Sequence, residues 1–123
     1  MSFQWNDKEP IYLQLKDQIK DMILSGDIQE GDALPSVRQV AIDYKVNPIT
    51  VSKSYQILVD EELVEKRRGL GMFVQSGAAE KLQVNENEQF IKEDWPKILN
   101  RIQTLNLDTE QLINSLKAIG SNQ

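Results

Sequence analysis

Residues 46–56 read VNPITVSKSYQ. Asn47 followed by Pro48 is a strong helix start: a side chain that can accept from the first free amides, then a residue whose fixed φ suits the first turn. On a wheel of about 100° per residue, Val51, Tyr55 and Leu58 share one narrow arc and must face a core. Opposite them lie Ile49, Lys53 and Gln56, flanked by Thr50 and Ser52. Taken alone, those residues also suit an ordinary solvated face. They equally suit a DNA major groove: Thr, Ser and Gln can bond base edges or phosphates, Lys can take guanine or a phosphate, and Ile can pack on a thymine methyl. The first turn adds free N–H groups and the positive end of the helix dipole, both attractive to phosphate.

The flanking residues narrow the choice. Upstream, Ser36 heads S-V-R-Q, a capping-box pattern in which Gln39 reaches back to the cap amide. It opens a short helix with Val40, Ala41 and Tyr44 inward, joined to the next by a turn of about three residues, the helix-turn-helix layout. Before it, residues 10–25 repeat apolar side chains at Ile11, Leu15, Ile19, Met22 and Ile23, with Pro10 at the first turn and Gly26 as C-cap. The intervening GDIQEGDALP reads as a turn-rich connector. Downstream, LVEKRR and MFVQ flank Gly-Leu-Gly and predict a β-hairpin with Arg67 and Arg68, beside Lys66, at its tip. Such a tip can contact phosphates or a minor groove, and can also be charged only to protect a strand edge. Arg38, on the first turn after the Ser36 cap, is placed for a backbone phosphate or a surface ion pair. The predicted fold is mainly α with a small β-hairpin: a winged helix-turn-helix domain over 1–76, then a helical region over 77–123.

In that second region, 76–82 (SGAAEKL) reads as a linker. Beyond it Ile91, Trp95, Ile98, Ile102 and Leu105 form a continuous seam, with a kink or restart expected at Pro96 and a cap from Asp94 or Trp95. Asn106 suits a left-handed C-cap, Asp108 with Gln111 a capping box, and Leu112, Ile113, Leu116 and Ile119 stripe a last helix. With Phe90 and Leu99 added, the seam is too apolar for a solvated helical pair. It either folds back on the first domain or joins a second copy; the homodimer is better motivated, since a helix-turn-helix pair must hold its half-sites about one DNA turn apart.

Composition excludes more than it selects. The 123 residues contain neither Cys nor His, which removes disulfides, thiolate catalysis, the usual general base and the commonest metal ligands. No metal and no cofactor is expected. An enzyme would need clustered carboxylates such as Asp60, Glu61, Glu62 and Glu65, a run better explained as a solvated face. No apolar run suits a membrane span or a signal peptide, so a cytoplasmic location with no membrane partner is expected. The net charge is −5. Residues 1–76 hold 9 Lys/Arg against 12 Asp/Glu, and residues 77–123 hold 5 against 7. Nucleic-acid binders are usually basic overall, so DNA binding here must rest on local charge placement. A winged helix used only for protein association remains an alternative.

The connector G-D-x-L-P-S-x-R, the V-N-x-x-T-V helix start, the Y-x-x-L-x-x-E-x-L-V register and the G-x-G-x-F-V wing together resemble the DNA-binding domain of the GntR family of bacterial transcription regulators, over about the first 75 residues. The resemblance implies a winged helix-turn-helix that binds double-stranded DNA at a palindromic operator as a homodimer. Of repressor and activator, a repressor is expected, and the sequence itself does not supply the sign of regulation. The resemblance places DNA contacts at Arg38, on the recognition-helix turn from Asn47 through Lys53 (with Pro48, Ile49, Thr50 and Ser52), and at Gly69 of the wing; the residues themselves add Ser36, Gln56, Arg67 and Arg68 as candidate contacts. Many members carry arginine where this chain has Pro48 and Ser52, which implies a different operator preference. The short tail is similar to the YtrA subfamily, whose C-terminal region is two helices without a ligand-binding domain. An effector is left unidentified.

Overall fold

The structure is a computed structural model that describes residues 5–120. The chain divides into two compact units, Met1–Asn85 and Glu86–Gln123. The first contains α1 (Ile11–Ser25), α2 (Val37–Tyr44), α3 (Pro48–Asp60), β1 (Val64–Arg67) and β2 (Gly71–Val74). α4 (Ala78–Gln89) spans the boundary in sequence.

α1 buries Leu15, Ile19 and Ile23 at four-residue spacing and leaves Ile11 exposed. Each full burial stabilises by roughly 1.5–3 kcal/mol. The helix stops at Gly26, whose φ of +87° lets its N–H turn back to the Ile23 carbonyl. Gln14 is buried on the same helix although it is polar. Its amide donates to the carbonyls of Asn6 (2.9 Å) and Glu9 (2.7 Å) and accepts from the Asn6 N–H (2.9 Å), so no polar group is stranded.

The helix-turn-helix forms as its caps dictate. Ser36 Oγ accepts from the Gln39 N–H at 3.0 Å, but the reciprocal half of the box is absent, because the Gln39 amide donates forward to Asp43 at 2.8 Å. α2 buries Val40 and Ala41, with Tyr44 half-buried against the same core. Three residues, the first of them Lys45 in left-handed conformation, lead to α3. There Val51, Tyr55 and Leu58 are fully buried, as the wheel requires.

β1 and β2 pair antiparallel with Val64 opposite Val74, Glu65 opposite Phe73, Lys66 opposite Met72 and Arg67 opposite Gly71. The turn closes with the Leu70 N–H on the Arg67 carbonyl at 2.9 Å, and Gly69 at φ +78° supplies the left-handed residue. The connector is more than a turn. Gly31 N–H donates to Val74, Val74 N–H to Asp32 and Leu34 N–H to Met72, all within 2.8–2.9 Å. The outer edge of β2 thus finds backbone partners that a bare hairpin would lack.

The linker expected at 76–82 is instead the start of α4. Ala78 and Leu82, four residues apart on one helical face, are 1% and 2% exposed in the first core, and Glu30 accepts from the Gly77 N–H at 2.8 Å beside the helix start. The first unit therefore extends past residue 76.

The second unit holds a π-helical turn at Phe90–Asp94, α5 (Trp95–Leu105) and α6 (Thr109–Gly120). The disturbance expected at Pro96 takes the form of that π turn: Pro96 has no N–H, and the Trp95 N–H bonds five residues back to the Phe90 carbonyl. Asp94 stays helical and makes no cap bond, since the helix never stops there. Asn106 is the left-handed C-cap of α5. Asp108 caps α6 through the Glu110 N–H (3.1 Å), without a return bond from Gln111. Neither α5 nor α6 buries a residue. No helix among the described residues is long and apolar enough to cross a membrane.

Candidate nucleic-acid interface

The first turn of α3 is built by its own cap. Asn47 Oδ1 accepts from the Ile49 N–H at 2.9 Å, and Pro48 occupies the following position. Beyond the cap, Ile49, Ser52, Lys53 and Gln56 are exposed, Ile49 by 66%, whereas Thr50 is half-buried. An isoleucine that exposed gains nothing from the fold. Lys53 holds its ammonium 5.6 Å from the centre of the Tyr12 ring, and Gln56 donates to Asp60 at 2.9 Å.

The opposite face fixes the helix in place. Ser54, which the wheel puts among the core residues and which was not singled out, is fully buried; its hydroxyl meets the Tyr12 carbonyl at 2.7 Å and the Thr50 carbonyl at 3.2 Å. A serine between Val51 and Leu58 on an inward arc was the available signal, since a buried hydroxyl needs a partner. Tyr55 donates its hydroxyl to the Pro35 carbonyl at 2.6 Å. Burial, with Tyr44 adding a smaller effect, pushes the Tyr55 phenol well above the ordinary tyrosine range, so it remains a protonated donor.

That bond makes residues 31–36 a hub. Gly31–Leu34 pair with β2, Pro35 receives Tyr55 from α3, and Ser36 caps α2. Recognition helix, wing and the first turn of α2 are thus tied to one short segment. Arg38 on that turn is exposed and has no hydrogen bond or ion pair among the described residues.

At the wing the two arginines diverge. Arg67 bends back: its Nε and Nη2 lie 2.9 and 2.8 Å from Glu65 Oε1, and its guanidinium sits 4.3 Å from the centre of the Phe73 ring. Arg68 has no such partner among the described residues and stands at the turn with exposed Gly69 and Leu70.

Each of the carboxylates that an enzyme would need has a partner of its own. Asp60 receives Gln56, Glu61 pairs with Lys20 at 2.9 Å, Glu62 with Lys81 at 3.4 Å, and Glu65 with Arg67. Among the described residues no group of three or more acidic side chains is placed to hold a metal ion.

The sequence model of the bacterial regulatory proteins of the gntR family matches residues 11–74, from the start of α1 to the end of β2. The chain belongs to the gntR family. This gntR-family regulator is 35% identical over 112 residues to the HTH-type transcriptional repressor YtrA of Bacillus subtilis, covering 91% of this chain and 85% of YtrA. It is 34% identical over 119 residues to the HTH-type transcriptional regulator YhcF of the same organism, covering 95% of each. A transcriptional regulator from Oenococcus oeni has a similar structure, with a TM-score of 0.74, 28% identity and coverage of 97% of this chain and 98% of that one. The likeness runs through the helical tail, which marks the chain as YtrA-like and as a winged-helix DNA-binding transcription regulator.

Proposed function

We propose that two copies of this chain join through the Glu86–Gln123 unit and bind a palindromic operator as a homodimer, repressing transcription from it. The observation that carries this reading is the outer face of α3. Ile49, Ser52 and Lys53 are presented to solvent on a helix whose other side is locked by Ser54 and Tyr55. A rigid helix with a mixed apolar, hydroxyl and cationic face suits base edges, where an apolar side chain meets a thymine methyl and lysine meets guanine or phosphate. Arg38 and Arg68, both exposed and unpaired among the described residues, are among the cations left for flanking phosphates, with Gly69 allowing close backbone approach.

The dimeric part rests on the second unit, where no side chain of α5 or α6 is buried and Ile91, Leu116 and Ile119 are each more than half exposed. A second copy covers such a seam and sets the half-site spacing. Repression follows from an operator that overlaps a promoter, and fits the similarity to a named repressor.

The test is a selection of bound sequences from random duplex DNA, followed by binding of the winner with Lys53→Ala and Arg68→Ala. Enrichment of an inverted repeat and loss of its binding in the variants is expected. No enrichment, with the protein folded and self-associated, would leave the wing and helix to protein association alone.

A further inference from the structure

We infer that Glu65 is a positioning residue that sets the wing's DNA specificity: it holds Arg67 away from phosphate, so that the wing offers DNA one free arginine rather than two. The inference rests on the DNA-binding reading above.

The geometry comes from strand alternation. Residues two apart on a strand share a face, so Glu65 and Arg67 stand on the same side of β1. Across the hairpin their partners are Phe73 and Gly71. Gly71 has no side chain, and this leaves the guanidinium of Arg67 free to lean diagonally over the Phe73 ring at 4.3 Å from its centre. There Glu65 Oε1 accepts from Nε at 2.9 Å and lies 2.8 Å from Nη2 in an ion pair. A ring beneath and a carboxylate at the edge occupy the two modes by which arginine usually takes a planar anion or stacks. Arg68, one residue on, has neither.

The consequence lies in non-specific binding, which is almost wholly electrostatic and which every free cation strengthens on every sequence. A regulator gains selectivity when a wing cation adds nothing to binding on irrelevant DNA. Glu65 cancels the Arg67 charge at that place while leaving the hairpin stiff.

The experiment is binding of the full chain to a non-operator duplex over a salt series. Glu65→Gln is expected to tighten that binding and steepen the slope of log affinity against log salt by about 0.9 per bound chain, one added phosphate contact. Glu65→Gln combined with Arg67→Gln should return the slope to the wild-type value, which a merely structural role of Glu65 would not do. An unchanged slope in the single variant, on a wild type that binds DNA with ordinary salt dependence, overturns this inference alone; a wild type without DNA binding overturns the functional reading with it. A wild-type NMR titration with the same duplex is independent of how the variants fold. The Arg67 Nε–H resonance should stay in place while that of Arg68 moves, and equal movement of both counts against the proposal.

Discussion

The hydroxyl of Tyr55, in the middle of the recognition helix, donates at 2.6 Å to the carbonyl of Pro35, the residue just before the cap of α2. Because the preceding four residues pair with β2, this one bond connects helix, wing and the Arg38 turn. Tyr55→Phe keeps the ring's packing and strands a carbonyl, a loss of about 1–3 kcal/mol. Thermal unfolding should report it as a lower Tm, and operator affinity should fall although residue 55 lies on the buried side of the helix.

The same residue sets a pH dependence. Burial raises the folded-state phenol above its unfolded value of about 10, so its stabilising contribution is complete below about pH 10 and is lost as pH rises beyond it. Urea titrations between pH 7 and 11 should show an alkaline decline in the wild type that is shallower in Tyr55→Phe.

Asn47 separates capping from reading. Asn47→Ala removes the acceptor for the Ile49 N–H and should cost about 1 kcal/mol in stability. Asn47→Asp keeps that acceptor and adds a negative charge beside the phosphates, so it should melt near the wild type yet bind DNA more weakly. A melt paired with an anisotropy titration distinguishes the two.

Much of the fold could be read from residue spacing, and the misses have identifiable causes. Caps at Ser36, Asn47 and Asn106 and the buried arc of Val51, Tyr55 and Leu58 depend on local chemistry, which sequence displays directly. The start of α4 reads as a linker in sequence because Ser76 and Gly77 signal a turn, while the burial of Ala78 and Leu82 depends on a core assembled from distant elements. The pairing of residues 31–34 with β2 is likewise non-local. At the interface, Arg67 and Arg68 are alike in sequence, and only the cross-strand neighbours Phe73 and Gly71 separate them.

Ile49 should behave as a reader with no structural duty. Ile49→Ala lies on a surface 66% exposed and should change stability by less than about 0.5 kcal/mol. Against a panel of single-base operator variants, it should lose about 1–3 kcal/mol of discrimination at one thymine-containing position and little elsewhere.

The helical tail should fail by losing association. Ile98→Asp with Leu116→Asp places charge on two exposed apolar positions, so the first unit should keep its fold. Light scattering should then give the mass of one chain, and operator affinity should drop steeply through loss of the second half-site.

The most direct test of operator binding by a pair of chains is a hydroxyl-radical footprint on the selected duplex, with the complex's mass measured by sedimentation. Two chains per duplex are expected, protecting two symmetric patches about 10–10.5 base pairs, or a multiple of that, apart. One protected patch with one chain bound, or no protection at all, would contradict it.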